Sequence, residues 1–333
     1  MPAQVRDRAA LAQRQKRLHQ LPLGISQITT RHAELLPGRN RRASGNGETE
    51  DLNLKQALGR GAEVNLPQLI ADLRQAQQVA LGDDQTLSGM LATAYQTAVS
   101  LLLKLGDQGT AWLAVGRAIA EAERSGDPVV VASSVRVQAH ALARDRHMVP
   151  AVGLIRHTAD QLAGGYDRRS PQYLAAFGLL LLRGVTAASA GGDRATAAGF
   201  LAEAKEVARY VNLDGPDSWA NFSPTNVALH AVSSAVVLGD AGVALEAAQP
   251  LMRRRIPVPE RRAALWVDAA RAYSQQGRLA EGCRALRIAE SCASEDIRRR
   301  PSVLDLVGDM AARDRRGTVP ELQRFCKELG VEV

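Results

Sequence analysis

Six histidines and three cysteines are the side chains best suited to metal or nucleophilic chemistry here, and their spacing supports neither. Cys283, Cys292 and Cys326 form no CxxC pair and have no histidine at zinc spacing, so no metal site and no disulfide framework is expected. They read as small buried thiols of a reducing compartment. The GxSxG, GxxxxGK(S/T), GxGxxG, HExxH and EF-hand patterns do not occur either, so no sequence signal points to acyl transfer, a phosphate cradle, a dinucleotide or a catalytic metal. No enzyme, no catalytic residue and no cofactor is expected.

The chemistry that remains is recognition. Arg136, His140, Arg183, Asn226, His230 and Arg271 are the candidate ligand-binding residues, together with Gln96, Ser100, Ser133, Thr186, Ser233, Asp268 and Ser274. They form a row of donors that suits an anionic ligand or a peptide backbone, held by hydrogen bonds and guanidinium forks. The row exists only if a regular succession of helices turns these positions toward solvent.

Such a succession is legible. Hydrophobic residues make up 46% of the 333 and aromatics only 4%, so the core must be filled by Ala, Leu and Val. That composition suits closely packed helices better than a sandwich of strands, and an all-α fold is expected. Thirteen helical stretches are predicted, the first over Pro67–Leu81 and the last over Val319–Leu329. Pro67, Pro171 and Pro301 sit in first turns, where a missing N–H costs nothing. Glycine turns at Gly106, Gly192, Gly239 and Gly277, with a glycine-free turn near Arg146, lie 40, 46, 47 and 38 residues apart. Units of about forty residues are what a stack of helical hairpins uses.

The register around those turns repeats. Trp266, Ala269, Ala270 and Tyr273 precede Gly277, and Gly282, Leu286 and Ala289 follow it; Leu181, Gly184, Val185, Ala197, Leu201 and Ala204 stand at the same offsets from Gly192, and Tyr95, Ala98, Val99, Ala111, Val115 and Ala118 from Gly106. The pattern resembles the tetratricopeptide repeat, in which small residues let neighbouring hairpins approach closely. An α-solenoid of tetratricopeptide-like hairpins over residues 65–333 is the expected architecture. The first helices of the hairpins would line its concave face, with the polar row facing solvent.

The charge is segregated. Residues 1–47 hold nine Arg or Lys and two acids and so carry the whole net charge of +7, while the rest is balanced at 33 against 33. With Pro22, Pro37 and a Ser44-Gly45-Asn46-Gly47 run, residues 1–50 read as a basic arm outside the packed body. Weak, salt-sensitive DNA binding through residues 1–47 is the most that arm predicts. No uninterrupted apolar run approaches the ~20 residues of a membrane span, and charged residues occupy the N-terminus where an export signal needs an apolar stretch. A cytoplasmic protein without a membrane role is expected.

The stretch Phe222-Ser223-Pro224-Thr225-Asn226-Val227-Ala228-Leu229-His230, with Glu260 to Ala263, Ala269 to Tyr273, Gly277-Arg278 and Arg300-Pro301, resembles the C-terminal regions of actinobacterial helix-turn-helix regulators of the XRE-like class. That resemblance implies the sensory and dimerising half of a transcription regulator, a homodimer responding to a peptide or small-molecule effector. The family's DNA-binding domain has one candidate position, Gly24-Ile25-Ser26-Gln27, but Thr30 falls where an apolar residue is needed and Pro37 cuts the recognition helix short. The domain is therefore expected to be absent or degenerate. The alternative is a protein–protein interaction scaffold that uses the same groove and binds no DNA.

Overall fold

A computed structural model describes residues 66–79, 84–163, 170–211 and 222–331, all helices and connections with no strand among them. The basic arm and the Gly24–Gln27 candidate turn lie outside the described residues. The helices are α1 (Leu66–Val79), α2 (Gln85–Leu105), α3 (Gln108–Ser125), α4 (Pro128–Arg144), α5 (Met148–Ala163), α6 (Pro171–Ala190), α7 (Arg194–Ala208), α8 (Pro224–Val237), α9 (Ala241–Arg253), α10 (Pro259–Gln275), α11 (Leu279–Cys292), α12 (Ser294–Arg299), α13 (Pro301–Arg313) and α14 (Pro320–Leu329). All thirteen expected helices are present, with ends within three residues of their predicted places; α12 is additional. It has six residues, too few for an apolar period to show.

The turns share one mechanism. The N–H of Gly106 bonds Leu103 O and that of Asp107 bonds Leu102 O; the same pair of bonds recurs at Gly192 and Asp193, Gly239 and Asp240, and Gly277 and Arg278. This is the Schellman closure, which requires a left-handed residue at its centre. At the glycine-free turn Arg146 itself adopts φ 63°, and it and His147 make the same two bonds to Ala143 and Leu142. A side chain there is strained by about 1 kcal/mol. Arg146→Gly is accordingly expected to stabilise the protein by about 1 kcal/mol, raising the melting temperature by roughly 2–4 °C. A lower melting temperature for that variant would show that the arginine side chain has contacts worth more than the strain.

The next helix often starts on an aspartate cap: Asp107 accepts from the Thr110 N–H at 3.1 Å and Asp193 from Thr196 at 3.0 Å. At the last turn, Asp314 accepts from the Thr318 hydroxyl and N–H and from the Val319 N–H. The Thr318 hydroxyl, followed by the Val319 amide, holds the Asp314 carboxyl below the ordinary aspartate value.

The chain divides into two compact units, with the boundary between Ala141 and Leu142. In the first, Leu66, Leu73 and Ala76 of α1 close on Leu87, Leu91 and Tyr95 of α2, and Val99, Leu103, Ala111 and Val115 of the α2–α3 hairpin pack with Val137 of α4. Gln96 donates to Val130 O at 3.2 Å and Ser134 Oγ at 2.7 Å, so α2 and α4 lie side by side along a polar seam.

The second unit consists of α5 against α6, then the hairpins α6–α7, α8–α9, α10–α11 and α13–α14; α8 lies beside both α6 and α10. Small residues sit where helices cross. A Cβ on Gly184 would stand 2.7 Å from the Phe200 ring, and one on Gly178 would overlap the Phe222 ring outright. Ala263, Val267 and Ala270 of α10 meet Leu286 and Ala289 of α11 and Met310 of α13 in one apolar cluster of this unit. By averaged hydropathy α2 and α6 are apolar enough to cross a bilayer, at 1.2 and 1.5, but 83% of the α6 window is covered by protein. A core helix passes the same test.

Candidate functional site

In the second unit the first helices of three successive hairpins, α6, α8 and α10, line a small hollow that opens to solvent. From α10 come Arg261, Ala264, Leu265, Asp268 and Arg271, one stripe at the helical repeat. From α8 come Leu229, His230, Ser233, Ser234 and Val237, and from α6 Val185, Thr186 and Ser189.

Several of these polar groups are held by something behind them. Arg271 Nη1 donates to Asp268 Oδ1 at 3.3 Å one turn back. His230 Nδ1 lies 2.9 Å from Asn226 O. A carbonyl only accepts, so Nδ1 carries the proton of that bond and the Nε2 edge is directed elsewhere. Ser189 Oγ donates to Val185 O at 2.7 Å and lies 2.6 Å from Ser234 Oγ. Having used its single hydrogen, Ser189 must accept from Ser234, which fixes both hydroxyls across the α6–α8 seam. Thr186 likewise spends its hydrogen on Leu182 O at 3.1 Å and presents lone pairs.

The phrase around Phe222 builds the α8 side of the hollow. Phe222 is 1% exposed with its ring on Gly178 of α6. Ser223 is the N-cap, accepting from the Asn226 N–H at 3.2 Å, and Pro224 opens the helix. Asn226 then receives His230 on its carbonyl. These residues set the position and rotation of α8, and with them the aim of His230, Ser233 and Ser234.

The six predicted ligand residues do not form one solvent-facing wall. Arg136 and His140 belong to α4 in the first unit, 8% and 7% exposed. In the second unit, Arg183 is 6% exposed and Asn226 1%, and neither lines the hollow. His230 and Arg271 do line it, and Arg271 keeps part of its surface in solvent. Gln96, Asp268 and Ser274 from the same row are buried too. The expectation of an exposed inner face is thus corrected. Neighbouring first helices pack flank to flank, and the polar positions fall in the seams between them. Gln275 donates across one such seam to Val236 O at 2.9 Å, and Arg313 across another to Ser274 Oγ at 2.9 Å.

Arg261 was not among the residues predicted to bind a ligand, yet it lines the hollow at 6% exposure. The signal was available, since Arg261 stands seven residues before Asp268, two turns along the same stripe.

Among the described residues no three His, Cys, Asp or Glu side chains cluster as metal ligands. Burial pushes the Cys283 and Cys326 thiols up, which keeps them protonated and unreactive. The lining of the hollow carries guanidinium groups, an imidazole, hydroxyls, a carboxylate, and apolar patches from Leu229, Leu265 and Val185. Compared with known proteins, the chain matches no family model and no curated protein.

Proposed function

We propose that this protein is the effector-sensing repeat region of a transcription regulator, a tetratricopeptide-like solenoid that takes a peptide or small-molecule effector in the α6–α8–α10 hollow. The observation that carries the reading is the hollow itself, which gathers Thr186, His230, Ser233, Asp268 and Arg271 of the predicted row with Arg261, Ser189 and Ser234. The regulator assignment is supported by the Phe222–His230 phrase and its likeness to XRE-like regulators. That phrase now has a mechanical sense, because it sets α8 against α6. A ligand spanning α6, α8 and α10 would bias how the three hairpins sit, which is the coupling a sensory region needs. Homodimerisation follows from the same likeness; a cytoplasmic location is the separate expectation from the charged N-terminal residues and the unpaired cysteines, with any DNA contact confined to residues 1–47.

The test is a melting experiment. Purified protein mixed with deproteinised small-molecule extract, or with peptide pools, is expected to gain stability. A ligand at 100 times its dissociation constant adds about 2.7 kcal/mol, a rise of several degrees in a unit of this size. No rise with either mixture would remove the sensor reading.

A further inference from the structure

The connection between α9 and α10 concentrates charge away from the hollow. Arg253, Arg254, Arg255 and Arg262 are all exposed, and the half-buried Glu260 is the one carboxylate between Leu251 and Arg262. Arg254 already has a partner within the chain, whereas the guanidiniums of Arg253, Arg255 and Arg262 make no hydrogen bond or ion pair among the described residues. Helix electrostatics accounts for only the first of these three. Arg253 closes the last turn of α9, where the negative end of the helix dipole attracts it. Arg255 lies beyond that helix, and Arg262 sits in the first turn of α10, where the dipole disfavours a cation. The segment is nonetheless firmly held. Ile256 is buried in the apolar cluster with Leu251 of α9, Leu229 of α8 and Leu265 of α10, and Val258 is buried as well. Pro257 and Pro259 fix the backbone on either side of Val258. Both of these proline rings are exposed, as are Pro250 in the last turn of α9 and Pro224 at the start of α8. Because α8 and α9 form a hairpin, Pro224 lies at the same end as the arginines.

We propose that this edge docks an acidic segment of a partner protein, with carboxylates on Arg253, Arg255 and Arg262 and apolar side chains against the proline rings. The planar fork of arginine matches the two oxygens of a carboxylate. Arg253 and Arg255 have Cα atoms at most about 7 Å apart, close to the repeat between alternate residues of an extended peptide. An alternation of acidic and apolar residues therefore fits cations and rings together. The backbone of duplex DNA would satisfy the guanidiniums but offers the rings no apolar side chain. A strap anchored by Ile256 and Val258 and stiffened by proline has little freedom left to lose on binding. None of these arginines and prolines lines the α6–α8–α10 hollow, so the partner docks independently of the effector site.

The experiment uses the full chain and three fluorescent octapeptides, alternating Glu and Leu, Glu and Ser, or Gln and Leu, beside a short labelled DNA duplex. Anisotropy at about 0.1 M salt reads affinity, and the melting temperature verifies that each variant is folded. The Glu–Leu peptide is expected to bind, and to exceed both the Glu–Ser and the Gln–Leu peptide by about tenfold or more. Arg253→Gln, Arg255→Gln and Arg262→Gln combined should weaken it by about tenfold, the joint effect of three exposed ion pairs. Arg315→Gln with Arg316→Gln, exposed at the α13–α14 turn, should change nothing. The duplex should bind wild type and triple variant equally, through residues 1–47 or not at all. An unchanged Glu–Leu affinity in the triple variant would place the peptide elsewhere, residues 1–47 included, and overturn the proposal. Equal binding of either control peptide, or no binding of the Glu–Leu peptide, would overturn it too. A loss of duplex affinity in the triple variant as large as the peptide's would make the edge a phosphate-binding surface instead.

Discussion

Changing Phe222 to alanine is expected to destabilise the unit of residues 142–331 by about 3–5 kcal/mol, the loss typical of a fully buried ring. The ring is 1% exposed and rests on the bare backbone of Gly178, so it fastens the start of α8 to α6. Gly178→Ala should cost nearly as much, because the added Cβ and the ring compete for one volume and the ring must leave. The two changes are then strongly coupled. In a Phe222→Ala background the glycine has no ring to accommodate, and Gly178→Ala should be neutral or stabilising by up to about 1 kcal/mol through helix propensity. Urea unfolding of the wild type, both single variants and the double variant measures the coupling. Costs that simply add would mean that the ring does not use the glycine's space.

Gly184→Ala is expected to cost about 1–3 kcal/mol. Its Cβ would press on Phe200, which cannot retreat, being wholly buried with the Arg156 guanidinium stacked 4.1 Å from its centroid. Gly282→Ala makes the instructive contrast. Its Cβ would meet Met310 Cε at 2.8 Å and Ala270 O at 3.3 Å, and a methionine end swings aside where a ring does not. With the gain in helix propensity set against the crowding, a loss under about 1 kcal/mol is expected there. Equal losses at the two sites would show that backbone approach, not the neighbouring side chain, sets the cost.

These glycines show what could be read from the chain and what could not. Gly184 and Gly282 stood out as the small members of a repeated register, and both lie where helices cross. The helices themselves were visible because apolar period, proline starts and glycine ends agree along the chain. The turn at Arg146 was placed without a glycine, but only the structure reveals that the arginine adopts the glycine conformation. The polar row failed differently. Periodicity identifies which face of a helix is polar, not whether another helix covers that face. Arg136, His140, Arg183 and Asn226 are therefore polar, on the expected helices, and buried. Arg261 escaped notice because the row on α10 began at Asp268, while the stripe that lines the hollow starts two turns earlier, at the helix's third residue.

If the hollow is where the effector acts, filling it must abolish the response and leave the fold intact. Ser233 lines the hollow half-buried and Val237 sits at its rim, 43% exposed. The direct measurement is the melting temperature of the wild type, Ser233→Trp and Val237→Trp, each with and without the small-molecule extract. The account predicts similar melting temperatures for the three proteins alone and a rise of several degrees for the wild type only. An equal rise in all three would contradict it, by placing the effector elsewhere on the chain.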